Sequence, residues 1–432
     1  PRFCDPMNTG PHRMPTTMKT IDQATALGAS SAAAHIPHAS LPKAATRLLG
    51  LLTRLKIGTL TLHAPDGNFQ VFGTHEAPFA ALHIHSWSVC AEVLKSGDIG
   101  FAEGYMAGDW DTPDLAALLR LLIANRTQIE GAIYGHWLGR LVYRVKHLLN
   151  RNNRSNSRKN IHAHYDLGNA FYELWLDGTM NYSSAWFEGD HTQDMAEAQK
   201  AKVRRALRMV NVQPGDRVLE IGCGWGALAE SATTEFGAHI TGVTLSTEQL
   251  AFAQTRMQAH GVQQRADLRL QDYRDINDGP YDAICSIEMI EAVGQEYWPT
   301  YFQTVSRLLK PGGRACIQSI TIDDALFERY LHSTDFIQQY IFPGGCLPSP
   351  SEFRKQAQAA GLQVVDELNF GPDYAETLRR WRESFMVQQD TVRTLKFDDR
   401  FIRLWAFYLA YCEAAFDEAN IDVVQFTLVK PA

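Results

Sequence analysis

The chain is poor in the residues that staple small folds. Its seven cysteines are scattered and odd in number: Cys4, Cys90, Cys223, Cys285, Cys316, Cys346 and Cys412. None forms a C-x-x-C pair or a Cys/His zinc pattern, so they read as reduced thiols of a cytosolic protein rather than as a disulfide framework. Basic charge is also short. Lys and Arg total 41 against 48 Asp and Glu, a formal net charge of -7. A nucleic-acid binder normally shows a basic domain, so nucleic acid is not expected as a partner. No run approaches the ~18 uninterrupted apolar residues of a membrane span. The first 40 residues lack the charged-then-apolar order of a secretion signal. Any membrane contact is therefore expected to be peripheral.

What is present is apolar material in quantity. Hydrophobic residues make up 45% of 432 residues, enough for a large core and for two or three domains. Residues 1–40, rich in Pro, Ser, Thr and Ala, are expected to be a disordered tail. Residues 41–148 read as a small α+β domain. Strand-like runs at 57–62 and 69–72 flank the turn signal Pro65-Asp66-Gly67-Asn68, and Leu82-His83-Ile84-His85 alternates like a third strand. Asp111-Thr112-Pro113-Asp114 predicts a helix through Ala124, with Thr112 as its cap and Pro113 in its first turn. Nothing in this unit looks catalytic.

Between 131 and 149, Ile133, Trp137, Leu141, Val145 and Leu148 repeat at helical spacing, with Arg140, Arg144 and His147 on another stripe. This fits a helix lying on a membrane surface, or one packed on its own domain or a second subunit. The linker 149–160 carries Arg151, Arg154, Arg158 and Lys159 without an acid. It reads as a solvated tether that could also attract anionic lipid heads.

From 161 to 432 the chain alternates strands and helices. Strands are predicted at 217–221, 239–244, 266–271, 281–287 and 314–321, with a last pair near 363–369 and 423–429. This is the rhythm of a doubly wound α/β sheet, whose ligands sit beyond the carboxyl ends of the strands. The central stretch is Val218-Leu219-Glu220-Ile221-Gly222-Cys223-Gly224-Trp225-Gly226. It reads as strand, tight turn and helix, with side-chain-free positions that let the backbone approach a ligand. The spacing is G-x-G-x-G, not the G-x-G-x-x-G of a dinucleotide site. It fits the turn of class I methyltransferases that bind S-adenosylmethionine.

Other candidates lie at the same sheet edge. Thr244 and Gln249 offer hydrogen-bonding groups around Leu245, while Ser246 reads best as a helix N-cap. Gln271-Asp272-Tyr273 could offer an acid and a ring to an adenine. Glu288 and Glu291 form a carboxylate pair that invites a general-base reading, although a surface or capping role suits Glu288 equally well. His162 and His164 have no third ligand at matching spacing, so no metal is expected. The Gly/Pro turn from Tyr340 to Pro348 suits a channel wall or a buried loop. The aromatic stretch from Tyr374 to Phe416 suits a helix core, or the lining for a long acyl chain.

Taken in order, these residues resemble the cyclopropane-fatty-acyl-phospholipid synthase family, which includes the mycolic acid cyclopropane synthases. The resemblance rests on His164 to Asn169, Tyr182-Ser183-Ser184-Ala185, the glycine turn, Thr244-Leu245-Ser246 with Gln249, Asp272 to Asp275, Glu291-Ala292-Val293-Gly294, Tyr340 to Pro348 and Asn369 to Tyr374. It covers nearly all of 161–432, and 97–125 resembles the family's N-terminal lipid-binding domain. It implies a class I methyltransferase sheet behind that smaller domain, acting on unsaturated acyl chains of a phospholipid bilayer. It further implies a peripheral enzyme at the inner membrane surface and a homodimer.

By this resemblance Tyr165, Tyr182, Ser183 and Gly222 hold the methionine end of S-adenosylmethionine, with Glu220, Gly224 and Gly226 in the same turn. Thr244, Leu245 and Gln249 meet the ribose side, and Asp272 and Tyr273 the adenine. Glu291 and Tyr374, with Ser184, Gln318 and Ile320, form the catalytic set around a bound bicarbonate that takes the proton as a cyclopropane closes. The chain departs from the family pattern at Ser184 (usually cysteine), Ala292 (usually histidine) and Gln318 (usually histidine). The cofactor contacts are kept, but ionisable groups are missing from the bicarbonate site. A methyl- or methylene-branched product is therefore the alternative to the ring, and a non-catalytic lipid-binding paralogue the alternative of another class.

Overall fold

The computed structural model describes residues 36–37, 41–129 and 167–432. The expected tail, the 131–149 helix, the linker, His162, His164 and Tyr165 lie outside the described residues, apart from residues 36 and 37 of the tail.

The N-terminal unit is a four-stranded sheet of order β2-β1-β3-β4. Its strands are β1 (Thr59–His63), β2 (Phe69–Gly73), β3 (Phe79–Ile84) and β4 (Trp110–Asp111). The β1–β2 hairpin closes at the turn foreseen from sequence. There Asn68 N donates to the Asp66 carboxylate at 3.0 Å and Gly67 takes a φ of +84°. The following helix, Leu115–Ala124, begins later than the sequence suggests. Asp114 is its cap, accepting from Ala117 N at 3.0 Å. Thr112 is already committed, donating to Ala81 O at 2.7 Å to tie the turn to β3, and Pro113 precedes the helix.

The second sheet has seven strands in the order β10-β11-β9-β8-β5-β6-β7. They are β5 (Arg217–Ile221), β6 (His239–Thr244), β7 (Ala266–Leu270), β8 (Tyr281–Ile287), β9 (Leu309–Ile322), β10 (Gln363–Asn369) and β11 (Ile421–Val429). Strands β5 to β9 run parallel and β11 inserts antiparallel between β9 and β10. The chain winds outward from β5 through β6 and β7, then returns to β8 on the other side. The switch point lies between β5 and β8, where a doubly wound sheet opens its crevice.

The helix Asp399–Asp417 joins the two sheets. Its apolar side packs on the helices Leu115–Ala124 and Asp98–Ala107 of the N-terminal unit. Leu118, Leu121, Phe407 and Leu409 belong to one hydrophobic cluster, all fully buried. Polar contacts fix the same seam. Arg403 lies 3.9 Å over the Tyr105 ring and donates to Trp110 O at 2.9 Å. Asp98 accepts from Tyr411 OH at 3.0 Å and Phe336 N at 3.1 Å. Among the described residues no helix is long and apolar enough to cross a membrane.

Candidate active site

Two cavities meet beyond the carboxyl ends of β5 and β8. The smaller, of about 170 Å³, is walled by Asn181 to Ser183, the turn from Glu220 to Trp225, Thr244, Leu245, Gln249, and Gln271 to Arg274. The larger, of about 380 Å³, is mostly apolar. It takes walls from both units: Leu48, Leu52, Leu119, Leu122 and Ile123 from the N-terminal side, and Ile320, Phe342, Leu378, Phe407, Tyr411 and Phe416 from the other. The Tyr340–Pro348 turn and part of the aromatic helix are thus cavity wall, while Trp381, Phe385 and Trp405 are core. Tyr182, Glu288 and Ala292 line both cavities.

The three glycines of the turn differ in what surrounds them: a Cβ on Gly222 would stand 2.9 Å from Met289 Cγ. A Cβ on Gly226 would stand 2.9 Å from Ala253 Cβ, so this glycine serves close helix packing. A Cβ on Gly224 would meet nothing within 4 Å, which leaves open space at the wall of the smaller cavity. Glu220 is buried at the end of β5, and its Oε2 has no hydrogen-bond partner. Burial pushes its carboxyl well above the ordinary range. Thr244 Oγ1 donates to Gln249 Oε1 at 3.0 Å, and Ser246 caps the next helix through Gln249 N, as its sequence position suggests. Asp272 holds Arg274 through both carboxylate oxygens at 2.8 and 2.6 Å, and Tyr273 OH is buried without a partner. An orphaned acid beside an open glycine, with a Thr/Gln pair beyond, fits the ammonium and ribose ends of S-adenosylmethionine.

The acids at the junction are arranged differently from the sequence expectation. Tyr374 OH donates to Glu288 Oε2 at 2.7 Å, not to Glu291. Gln318 Nε2 donates to Glu288 Oε1 at 2.7 Å, and Ser184 N to the same oxygen at 2.9 Å. The Ser184 hydroxyl turns away to Ala185 O. Ile320 N donates to Glu291 Oε1, while Glu291 Oε2 is buried without a partner. The donors of Tyr374, Gln318, Ile320 N and Ser184 N are therefore taken by Glu288 or Glu291, and the Ser184 hydroxyl by a backbone carbonyl. A further anion would face the Glu288 carboxylate with those donors already used, so these residues as arranged do not fit bicarbonate. Glu288 is neither a surface residue nor a cap. It holds φ at +49°, a left-handed conformation costly for a residue with a side chain, at the point where the cavities join.

The environments of the two acids are pushed apart. Burial raises the Glu291 carboxyl to about 8, and the neighbouring Glu288 charge adds to the shift. Burial also raises Glu288, but Lys202, Tyr374, Ser184 and Gln318 all oppose that rise. The arrangement favours a charged Glu288 beside a neutral Glu291. Lys202 escapes the sequence reading. Fully buried, it donates to Ser183 Oγ at 2.5 Å. Burial lowers its pKa to about 8 against the pull of Glu288, Asp177 and Glu220. A signal existed: Lys202 falls on the buried stripe of the helix Met195–Met209, with Ala198, Gln199, Val203 and Ala206. Among the described residues no cluster of His, Cys, Asp and Glu could hold a metal.

Comparison with known proteins finds related sequences and structures. Residues 152–426 match the family model described as mycolic acid cyclopropane synthetase. The tuberculostearic acid methyltransferase of Mycobacterium tuberculosis is 39% identical over 92% of this chain and 95% of its own. The cyclopropane-fatty-acyl-phospholipid synthase of Escherichia coli K12 is 34% identical over 77% of this chain and 83% of its own. Among solved structures, a mycolic acid cyclopropane synthase complexed with SAH and CTAB superposes with a TM-score of 0.59 at 33% identity, covering 63% of this chain and 98% of that one. The sheet is that of a class I methyltransferase.

Proposed function

The chain belongs to the mycolic acid cyclopropane synthetase family, and from that premise we propose that it adds one carbon from S-adenosylmethionine to the double bond of an unsaturated phospholipid acyl chain, leaving a methylene branch, with Glu288 as the proton acceptor. The family supplies the coarser statement, an S-adenosylmethionine-dependent methyltransferase acting on fatty acyl chains. One observation carries the finer one: a hydrogen-bonded carboxylate, Glu288, at the junction of the two cavities.

Glu220, Ser183, Gly224, Thr244 and Gln249 would hold S-adenosylmethionine, which when bound supplies an electrophilic methyl group. The larger cavity holds the acyl chain and excludes water from the alkene, a weak nucleophile that depends on alignment. Methyl uptake leaves a positive charge on the acyl chain. Glu288, fixed in advance by its donors, stabilises that charge without reorganising. A hydride then shifts along the acyl chain, and Glu288 takes a proton from the new methyl to leave a C=CH2 branch. Loss of the same proton without the shift closes a cyclopropane. Either way the chain gains CH2 and one proton is released. The branch has support from the tuberculostearic acid methyltransferase, which aligns over most of both chains. The ring is the second reading, favoured by the Escherichia coli relative and by the shared proton.

The test incubates the protein with S-adenosylmethionine and vesicles of unsaturated phospholipid in carbonate-depleted buffer. Fragmentation of the product chain then distinguishes branch from ring. Methylene-branched chains at undiminished rate are the expected result. A cyclopropane product, or turnover that returns only with added bicarbonate, would overturn the proposal.

A further inference from the structure

Behind Glu288 lies a line of side chains that touches neither cavity. Gln318 and Gln425 are direct cross-strand partners on β9 and β11, and both are fully buried. Gln425 Nε2 donates to Gln318 Oε1 at 2.9 Å and to Lys202 O at 3.2 Å. Arg205 NH1 donates to Gln425 Oε1 at 2.8 Å, and Arg205 NH2 reaches Asp366 at 2.6 Å.

An amide can face either way, so something must set its direction. A guanidinium has only donors, and a backbone carbonyl only accepts. Arg205 on one side and Lys202 O on the other leave Gln425 a single satisfied orientation, with oxygen toward Arg205 and NH2 toward Gln318. Gln318 must then accept from Gln425 and turn its own NH2 to Glu288. If Gln318 were reversed, its oxygen would face the Glu288 carboxylate, an arrangement that holds only when Glu288 is protonated. We infer that Arg205 and Gln425 are positioning residues that fix the Gln318 amide so that Glu288 is kept as a hydrogen-bonded carboxylate ready to take the proton. This inference rests on the assignment of Glu288 as proton acceptor.

The titratable groups that face Glu288 are Lys202, Glu291 and Tyr374. Arg205 faces Asp366 and, more distantly, Cys316. Changing Arg205 alters none of the first set, so a relayed effect can be separated from a direct one. The experiment is a double-mutant cycle of Arg205→Met and Gln318→Met in the full chain. The readouts are turnover on unsaturated vesicles against pH, with a thermal melt for each variant. Each single change is expected to lower turnover about tenfold to a hundredfold, below the ~10²–10³ for losing a direct electrostatic partner, and to move the acid limb of the profile upward. The double variant should be no worse than Gln318→Met alone, and Arg205→Lys, still a donor-only cation, should restore most of the turnover and the limb. If Arg205→Met does not fold, Gln425→Glu serves instead. It keeps the Arg205 contact but has no NH2 for Gln318, and the same loss is expected. Additive losses in the double variant, or an unmoved acid limb in Arg205→Met and Gln425→Glu, would overturn the relay. A Glu288→Gln variant with full turnover would instead overturn the assignment of Glu288, so the two failures are distinguishable.

Discussion

Tyr374 gives its hydroxyl hydrogen to Glu288 at 2.7 Å and leaves Glu291 to the backbone of Ile320. This division separates the two acids chemically although they lie within one turn of chain. Glu288 collects three donors from three distant segments, at residues 184, 318 and 374. Glu291 receives one and keeps an unpartnered oxygen. A carboxylate rich in donors stays charged, and one short of them holds its proton.

Replacing Glu288 with Gln is therefore the most damaging single change to chemistry. Turnover should fall by about 10²–10³, the usual cost of one preorganised electrostatic partner. Cofactor affinity by calorimetry should stay within a few-fold, because Glu288 contributes only one edge of the smaller cavity wall. Glu291→Gln should cost less, since a neutral amide imitates a neutral acid. Equal losses in the two variants would argue against the separation.

Stability should carry the mark of Glu291. Its carboxyl binds a proton up to about 8 in the folded chain, against an ordinary value of 4.5. The folded state thus holds that proton where the unfolded state has lost it. The resulting stability is fully present below the unfolded value and is lost as pH rises through the folded one. Melts of the native protein should therefore fall more steeply than those of Glu291→Gln between about pH 5 and about pH 8, with the curves closest at the acid end. Parallel curves would show that Glu291 is charged in the folded chain.

Much of this was legible in the sequence, for a physical reason. The strands of the large sheet follow period and turn chemistry, so β5, β6, β8 and β10 begin and end where residue patterns place them. The glycine turn is legible because it needs backbone shapes that few residues adopt. The junction was not legible. Glu288 and Glu291 look equivalent along the chain, and only the folding of residues 184, 318 and 374 onto one of them distinguishes the two. Lys202 and Gln425 are polar residues on buried faces, a pattern whose meaning depends on what lies across the sheet. Thr112 lost its expected capping role because β3 offered it an acceptor first.

The turn glycines should respond differently to the same substitution. Asparagine tolerates the left-handed backbone better than other side chains. Gly224→Asn should keep the melt and weaken cofactor binding at least about tenfold, because the new side chain enters open space at the cavity wall. Gly226→Asn should do the reverse, lowering the melt as its Cβ meets Ala253. Calorimetry beside thermal melts checks both, and unchanged affinity in Gly224→Asn would remove that position from the cofactor wall.

The N-terminal unit offers the last prediction. Leu119, Leu122 and Ile123 on the helix Leu115–Ala124 line the larger cavity together with Ile320 and Phe416 of the other unit. The larger cavity is therefore built by both, and the small domain is part of its wall as well as a neighbour. Filling that wall should shorten the chain that can be accommodated. Leu122 is only half-buried, so Leu122→Trp can place its ring in the cavity without displacing the core. Turnover on long unsaturated chains should drop about tenfold or more, the scale on which apolar pockets discriminate by size. Shorter chains should be affected less, and cofactor affinity should not change, since Leu122 lies outside the smaller cavity. Competition between phospholipids of different acyl length, read by mass spectrometry in one vessel, gives the ratio directly. An unaltered ratio would mean that the acyl chain never reaches the N-terminal wall and lies wholly between β9 and the aromatic helices.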